Sequence, residues 1–225
     1  MRELMQTIEA LRAGVRAHAM DPENPPEILP VTKMQPVERI LALREAGLTA
    51  IGENRVQEML EKYPILSSSF SIHLIGRLQT NKIKYIIGKV CMVQSLDRMP
   101  LAEALRAHAA ARGVRLPVLV EVNISGEAQK TGIAPEEAER FIRELSGLDG
   151  IHVQGLMTVM PFVDPETIRP LFRAMRGLFE RLRAQAIGHV SMDVLSMGMS
   201  GDWRVAVQEG ATLLRIGSAI FGSRE

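Results

Sequence analysis

The sequence predicts an α/β fold: a single (β/α)8 TIM barrel with an extra helix at the N-terminus. Eight short apolar runs rich in β-branched residues alternate with helical patterns, which is typical of parallel strands joined by crossover helices. No linker interrupts the alternation, so we expect one domain over residues 1–225, of which 1–27 form the leading helix and its loop. The same alternation would permit an open doubly wound sheet, which is the competing architecture.

The predicted elements follow one another regularly along the chain. After an amphipathic helix at residues 1–19 and a turn-rich loop at 21–26, the eight strands are expected at 28–33, 49–51, 72–75, 90–93, 118–122, 152–156, 192–195 and 213–216. The helices between and after them are expected at 37–46, 54–62, 80–87, 99–111, 135–145, 165–186 and 202–209, with a short apolar helix at 219–222. Prolines and aspartates stand at several of the predicted helix starts.

Composition excludes several classes of function. A hydrophobic fraction of 46%, a charged fraction of 24% and a net charge of +1 describe an ordinary globular chain without a basic or membrane-binding bias, so neither nucleic acid nor a membrane is an expected partner. The single cysteine, Cys91, cannot form an internal disulfide, and the histidines lack metal-ligand spacing. The first helix has no signal-peptide core, and no segment is apolar enough to cross a bilayer. We expect a cytoplasmic monomer without a metal.

The first predicted strand brings a lone lysine to the mouth of the barrel. The run ILPVTKMQP places Lys33 where the strand would end, and Pro36 then opens the next helix. In parallel α/β architectures, chemistry is placed beyond the carboxyl ends of the strands. The segments that follow the other strands are therefore expected to lie on the same rim as Lys33.

The loops after the last two strands predict an anion site. Residues 196–201 (SMGMSG) supply two hydroxyl groups, beginning with Ser196, and Gly217 and Ser218 open the short C-terminal helix. Free amide groups at a helix start and neighbouring serine hydroxyls are suitable donors to a phosphate, and these two loops are the recurring phosphate position of such barrels. The alternative is that the glycines only make turns.

Closure of the barrel makes the lysine and the anion site neighbours, because strand 1 lies beside strand 8. An amine next to a phosphate pocket indicates a phosphorylated aldehyde held as a Schiff base, namely pyridoxal 5'-phosphate (PLP). Alternatively, Lys33 only holds a phosphate or pairs with Glu53. Arg215, at the end of strand 8, could point at the pyridine nitrogen; a guanidinium accepts no proton, so it would keep that nitrogen unprotonated and weaken the ring as an electron sink.

The chain also resembles a known family. The segments VTKMQP, IGENRVQE, HLIGRLQTNKIK, SLDR, VLVEVNISGEAQKTGI, GLMTVMPF and LSMGMSGDWRVAVQEGATLLRIGSAIFGSRE are similar to those of the pyridoxal phosphate homeostasis proteins, relatives of the N-terminal barrel of alanine racemase. The resemblance extends from about Ile28 to Glu225 in the same order. Departures from the family pattern occur at Arg55, at the pair SI before His73 and at Arg77.

The resemblance assigns roles to individual residues. It implies that Lys33 forms a covalent aldimine with PLP, that Ser196, Gly217 and Ser218 hold the phosphate, and that Arg215 faces the ring nitrogen. It further implies that the pocket is lined by Asn54, His73, Met197 and Met199.

The predicted function is that of a PLP carrier or regulator in vitamin B6 and amino-acid homeostasis, without strong catalytic turnover. PLP-requiring apoenzymes are possible partners. One alternative is a PLP-dependent racemase-like enzyme; it would need a second base, commonly a tyrosine, and neither Tyr63 nor Tyr85 lies on a predicted rim loop. The other is an RNA- or protein-binding module that retains the pocket.

Overall fold

Eight parallel strands form the centre of the molecule, which a computed structural model describes over residues 2–222. Residue 1 and residues 223–225, at the ends of the predicted domain, lie outside the described residues. The strands are β1 (Glu27–Pro30), β2 (Ala50–Glu53), β3 (Ser71–Leu74), β4 (Met92–Leu96), β5 (Leu116–Glu121), β6 (Ile151–Met157), β7 (Val194–Ser196) and β8 (Leu213–Ile216). Their order in the sheet is β1-β8-β7-β6-β5-β4-β3-β2.

Helices alternate with the strands and surround them. In the described part of the chain they are α1 (Arg2–His18), α2 (Val37–Leu41), α3 (Val56–Leu66), α4 (Ile83–Ile86), α5 (Met99–Ala110), α6 (Ala138–Ser146), α7 (Arg169–Ala184), α8 (Trp203–Gln208) and α9 (Ser218–Phe221). Their apolar faces pack on the outside of the sheet in one continuous hydrophobic core, which includes Ile8, Phe172 and Phe179. None of the helices in residues 2–222 is both long and apolar enough to span a bilayer.

The sheet closes between its first two strands. Val31 and Gly52 form a parallel bridge just beyond β1, and the amide of Thr32 donates to the carbonyl of Gly52 at 3.0 Å. Because β1 also pairs with β8 along its whole length, the ring of strands is complete. The predicted (β/α)8 barrel with a leading helix is therefore confirmed, and the open sheet is excluded.

Several element boundaries differ from the predicted ones. β1 ends at Pro30, so Lys33 lies in a turn three residues beyond the strand. The helix expected at 37–46 stops at Leu41 and continues as a tighter 3-10 turn. The helix expected at 165–186 begins at Arg169, because the residues after β6 form an irregular loop that carries the fully exposed Phe162.

The inside of the barrel changes from apolar to polar toward the carboxyl ends of the strands. A small apolar cluster contains Met92 and Leu119, and two residues farther along the same strands stand Gln94 and Glu121. Side chains two residues apart in a strand point to the same side of the sheet. The upper layer of the interior therefore consists of buried polar groups, and the candidate site lies above it.

Helix α1 is anchored on the outside of the barrel through Trp203. A side chain at Gly14 would bring a Cβ to 2.8 Å from the indole, so only glycine allows this approach of the helix. His18 meets the same indole edge-on, with ring centroids 5.8 Å apart. The leading helix is thus packed against α8, the helix that follows β7.

Candidate functional site

A cavity of about 460 Å³ opens at the carboxyl ends of β1, β7 and β8. Five of the nine predicted site residues line it, namely Lys33, Met199, Arg215, Gly217 and Ser218. Ser200 and Asp202 also line it, and the loop after β6 supplies an apolar wall made of Pro161, Phe162, Val163 and Pro165. Lys33, Arg215 and the start of α9 therefore line one cavity of small-molecule size, next to the junction of β1 and β8.

A larger cavity, of about 850 Å³, lies at the opposite end of the barrel. It is formed by α1 and the chain at the beginnings of β1 and β2, and none of the predicted site residues lines it. Because the polar layer of the barrel interior is at the other end, we place the candidate site in the smaller cavity. Within residues 2–222 no group of three or more histidine, cysteine, aspartate or glutamate side chains is arranged to hold a metal ion.

The turn that carries Lys33 is held from the side of α3. The hydroxyl of Thr32 donates to Oε1 of Glu53 at 2.6 Å, and Nζ of Lys62 donates to the carbonyl of Thr32 at 2.8 Å. Lys62 also contacts Oε1 of Glu53 at 3.0 Å and Oε1 of Glu58 at 2.7 Å. On the other side of Lys33, the amide of Met34 donates to the carboxylate of Glu58. We call Glu53, Glu58 and Lys62 the α3 clamp.

The two carboxyl groups of the α3 clamp differ in acidity. Burial raises the pKa of Glu53, against the hydrogen bonds from Thr32 and Lys62. Burial also tends to raise the pKa of Glu58, but the hydrogen bonds from Lys62 and Met34 outweigh this effect, and the pKa of that carboxyl is lowered. Oε2 of Glu53 is buried and has no hydrogen-bond partner among the described residues. A proton entering the clamp would therefore go to Glu53.

Arg215 begins a hydrogen-bonded chain that crosses the barrel interior. Its Nη1 donates to the hydroxyl of Ser196 at 2.6 Å, and Nη2 donates to the carbonyl of Thr158 at 2.7 Å. The Ser196 hydroxyl contacts Oε1 of Gln94 at 2.8 Å, and Nε2 of Gln94 contacts Nδ1 of His73 at 3.0 Å. An amide oxygen can only accept and an amide nitrogen can only donate, so the Ser196 hydroxyl donates to Gln94, and Nδ1 of His73 accepts from Gln94.

The direction of this chain fixes the state of His73. Its Nδ1 must be unprotonated to accept from Gln94, so the neutral ring carries its proton on Nε2. Burial lowers the pKa of His73 to about 4, in agreement with a neutral ring. Burial also lowers the pKa of Arg215 to about 10, opposed by the nearby charges of Asp202 and Glu121, so the guanidinium remains charged at neutral pH.

The start of α9 presents two amide groups to one hydroxyl. The amides of Gly217 and Ala219 both donate to Oγ of Ser200 at 3.1 Å. Helix α9 has a single turn, so individual amide donors rather than a summed dipole favour an anion here. The loop bends at Gly198, where φ is +93° and an added Cβ would lie 2.5 Å from that of Ala206.

Four predicted residues are not part of the cavity wall. Ser196 and Met197 are fully buried, Ser196 behind Arg215 and Met197 in the core outside the barrel. His73 lies at the far end of the chain from Arg215. Asn54 is partly buried, and its Oδ1 has no hydrogen-bond partner among the described residues. Of the two serines in SMGMSG, it is Ser200 that meets the amides of α9.

Sequence reasoning assigned no individual role to four neighbours of the site, although each had a recognisable signal. Ser200 belongs to the same loop motif as Ser196 and stands four residues later. Glu58 and Lys62 have the i, i+4 spacing of a helical ion pair. Gln94 is a polar residue in a fully buried strand, which requires a hydrogen-bond partner inside the barrel.

Comparison with known proteins shows the family to which the chain is similar. The family model described as alanine racemase, N-terminal domain, matches residues 7–225. The pyridoxal phosphate homeostasis protein of Aquifex aeolicus is 43% identical over 205 residues, which cover 90% of this chain and 89% of the relative. The protein of the same name from Pasteurella multocida is 39% identical over 211 residues, covering 92% and 90%.

A solved structure is similar as well. The structure of PipY from Synechococcus elongatus, described as having PLP bound, superimposes with a TM-score of 0.84 at 29% identity, covering 97% of this chain and 100% of PipY. The family model and the curated relatives extend over nearly the whole chain. The chain therefore belongs to the alanine racemase N-terminal domain family, in the group of the pyridoxal phosphate homeostasis proteins.

Proposed function

We propose that this protein binds PLP as a Schiff base on Lys33 and acts as a carrier or regulator in vitamin B6 and amino-acid homeostasis. The observation that carries the proposal is that Lys33, Arg215 and the start of α9 line one cavity. The names of its curated relatives and the PLP bound to PipY support the choice of ligand. One domain, residues 1–225, would provide the whole site.

The anion end of the cavity would hold the phosphate. The amides of Gly217 and Ala219 are already directed at an oxygen atom, the hydroxyl of Ser200, and a phosphate oxygen satisfies the same geometry. Ser218, which lines the cavity beside them, would add its own hydroxyl. Ser196 would act indirectly, because its hydroxyl supports Arg215.

Arg215 would face the pyridine nitrogen. Arg215 lines the cavity and is 4% exposed, and within residues 2–222 its guanidinium is hydrogen-bonded to neutral oxygen atoms, those of Ser196 and Thr158. A permanent donor at that position keeps the pyridine nitrogen unprotonated. This arrangement disfavours carbanion chemistry on the ring, and it supports a holding role in preference to fast turnover.

The covalent step needs only groups that the site and the ligand supply. Nζ of Lys33 in its unprotonated form would add to the aldehyde carbon of PLP; a C=N bond would replace the C=O bond, and the oxygen would leave as water with the two amine protons. Addition of water reverses the step and returns free PLP, as a carrier requires. A racemase would also need a second base, and neither Tyr63 nor Tyr85 lines the cavity. We therefore propose no strong turnover, and slow α-proton exchange of L- and D-alanine would agree.

Spectroscopy tests the proposal directly. Adding PLP to the purified protein should produce an aldimine band at about 420 nm. Lys33→Ala should abolish the band, whereas Lys89→Ala, which changes an exposed lysine on another face, should keep it. A protein that stays colourless, or a Lys33→Ala variant with an unchanged band, would overturn the proposal.

The same proposal covers partners and location. We propose a cytoplasmic monomer that passes PLP to PLP-requiring apoenzymes. Sedimentation of the purified protein measures its oligomeric state, and fractionation of cells measures its location. The rate at which an apoenzyme gains activity from the loaded protein measures the transfer. Transfer no faster than from an equal concentration of free PLP would contradict delivery to apoenzymes.

A further inference from the structure

Lys62 is a buried ammonium group whose contacts surround the turn of Lys33. The residue is 9% exposed, and its Nζ contacts the carbonyl of Thr32 and the carboxylates of Glu53 and Glu58. Each contact leads to the same short segment, because Glu53 also accepts from the Thr32 hydroxyl and Glu58 accepts from the Met34 amide. The residues on both sides of Lys33 are therefore fixed by the α3 clamp.

The backbone at this turn needs such a restraint. Met34 has a φ of +59°, in the left-handed region that a non-glycine residue rarely adopts, and its side chain is 70% exposed. Packing of the side chain therefore contributes little to holding this conformation. Conformations of this kind persist where surrounding contacts impose them, and they cluster at functional sites. The contact that the amide of Met34 makes with Glu58 is a direct restraint of that kind.

Stability alone is a weak explanation for the α3 clamp. It places two carboxylates around one ammonium group, at 3.0 and 2.7 Å, with Glu53 only 1% exposed. Burying ions is costly, and apolar side chains of similar size often stabilise a fold equally well. A buried ionic cluster that contacts both neighbours of a reactive residue is better explained by the geometry that it imposes.

We propose that the α3 clamp is a positioning device that sets where the amine of Lys33 stands in the cavity. This inference rests on the proposed covalent role of Lys33. The anion site at the start of α9 fixes one end of the ligand, so the aldehyde carbon occupies a defined place. Bond formation then requires the amine to be within attack distance of that place. Glu53, Glu58 and Lys62 are positioning residues, since they act through the backbone of residues 32–34.

Binding of two ligands distinguishes a misplaced Lys33 amine from general damage to the pocket. PLP can form the covalent bond, whereas 4-deoxypyridoxine 5'-phosphate has a methyl group in place of the aldehyde and binds only non-covalently. Glu58→Ala removes the acceptor of the Met34 amide and leaves the pair of Glu53 and Lys62 in place. We expect this variant to lose affinity for PLP by about tenfold, the effect of one charge-assisted hydrogen bond, with unchanged affinity for the methyl analogue.

Glu61→Ala is the matched control. Glu61 lies on the same helix, is exposed and contacts only Gln57 among the described residues, at 3.4 Å. It should bind both ligands as the unmodified protein does. Amide hydrogen exchange of the ligand-free protein gives a second readout: Met34 should exchange faster in Glu58→Ala and unchanged in Glu61→Ala.

The outcomes distinguish this inference from the proposed function. If the unmodified protein forms no covalent adduct with PLP, the proposed function fails, whereas the exchange of Met34 still tests whether the clamp restrains the turn. If the adduct forms and Glu58→Ala binds PLP as tightly as Glu61→Ala, the positioning role is overturned. Equal losses for PLP and for the methyl analogue would also overturn it, because they indicate a damaged pocket.

Discussion

Two buried cations stand near the cavity, and their surroundings differ. Lys62 lies between two carboxylates at 2.7 and 3.0 Å. Arg215 is held by a hydroxyl and a carbonyl oxygen at 2.6 and 2.7 Å, and no carboxylate in the described part of the chain lies within ion-pair distance of it. The charge of Lys62 is thus neutralised by the protein, while that of Arg215 is not.

We propose that this difference separates a charge that holds the backbone, that of Lys62, from a charge that acts on the ligand, that of Arg215. A neutralised cation shapes the backbone around it, as Lys62 does at the Lys33 turn. The guanidinium of Arg215 is not paired with a carboxylate among the described residues, and the carboxyl groups of Asp202 and Glu121 act on it only at longer range. Its positive charge would therefore attract electron-rich atoms of a bound molecule. We therefore expect changes at Lys62 to affect stability most and changes at Arg215 to affect the ligand most.

The largest effect on stability is expected for Lys62→Met. The change leaves Glu53 and Glu58 close together without a counter-ion, and breaking a buried pair in this way costs about 3–5 kcal/mol in the free energy of unfolding. Urea denaturation measures it. Lys89→Met, which removes an exposed lysine, should change the same free energy by less than about 0.5 kcal/mol. A Lys62→Met variant as stable as the unmodified protein would show that the clamp contributes nothing to folding.

The pH dependence of stability should reveal His73, at the end of the Arg215 chain. Burial lowers its pKa to about 4, so between the ordinary value of 6.5 and that value only the unfolded chain takes up a proton. Falling pH therefore favours the unfolded state in this window, by at most about 3 kcal/mol at its lower end. Equilibrium unfolding from pH 7 to pH 4 gives the curve.

His73→Gln isolates the histidine contribution. Burial raises the pKa of both Glu53 and Glu121, and these carboxyls act in the opposite sense, because a folded protein that binds a proton more tightly gains stability as the pH falls. Both carboxyls are present in the variant and in the unmodified protein, so subtracting one stability curve from the other removes their contribution. Parallel curves for the variant and the unmodified protein would contradict a neutral buried His73.

Arg215→Met should cost less stability than Lys62→Met and more affinity. The variant loses two hydrogen bonds but leaves no carboxylate unpaired, so we expect a loss of about 1–3 kcal/mol in the free energy of unfolding. Affinity for PLP should fall by about 10- to 100-fold, which matches the loss of a charged donor at the ring. Urea denaturation and PLP titration provide both numbers. A reversed order of the two variants in either measurement would refute the distinction.

The smallest effect is expected at the apolar rim. Phe162 is 100% exposed yet lines the same cavity as Lys33, so Phe162→Ser should change the free energy of unfolding by less than about 0.5 kcal/mol. Removal of an apolar group beside the ligand should nevertheless raise the rate of PLP release a few-fold, measured by stopped-flow dilution. A large loss of stability would mean that the aromatic ring packs on the folded chain.

The sequence was sufficient for the architecture and for the adjacency of the site, because both follow from strand order. Pairing of strands 1 and 8 predicts that Lys33 and Gly217 lie near each other; β1 pairs with β8 as far as Pro30 and Ile216, and both residues line the same cavity. The sequence could not decide which serine contacts the amides of α9, because Ser196 and Ser200 are the same residue type in one loop motif. Their roles differ because Ser196 ends β7 facing the barrel interior, whereas Ser200 follows the bend at Gly198.

The sequence also could not identify the partners of buried polar groups. The chain from Arg215 to His73 joins the consecutive strands β7 and β8 to β3 and β4, about half the sequence away, and the packing of the barrel interior brings these side chains into contact. The Lys62–Glu58 pair was visible as helical spacing, but its contact with the Thr32 carbonyl depends on how α3 packs on the end of β1.

Borohydride reduction of the PLP-loaded protein, followed by mass analysis of its peptides, tests the central claim most directly. Reduction makes the bond between the lysine and the cofactor permanent, so the modified peptide identifies the amine. The account predicts a single phosphopyridoxyl group, carried by Lys33. Modification of a different lysine, or a peptide map without any modified lysine, would contradict it.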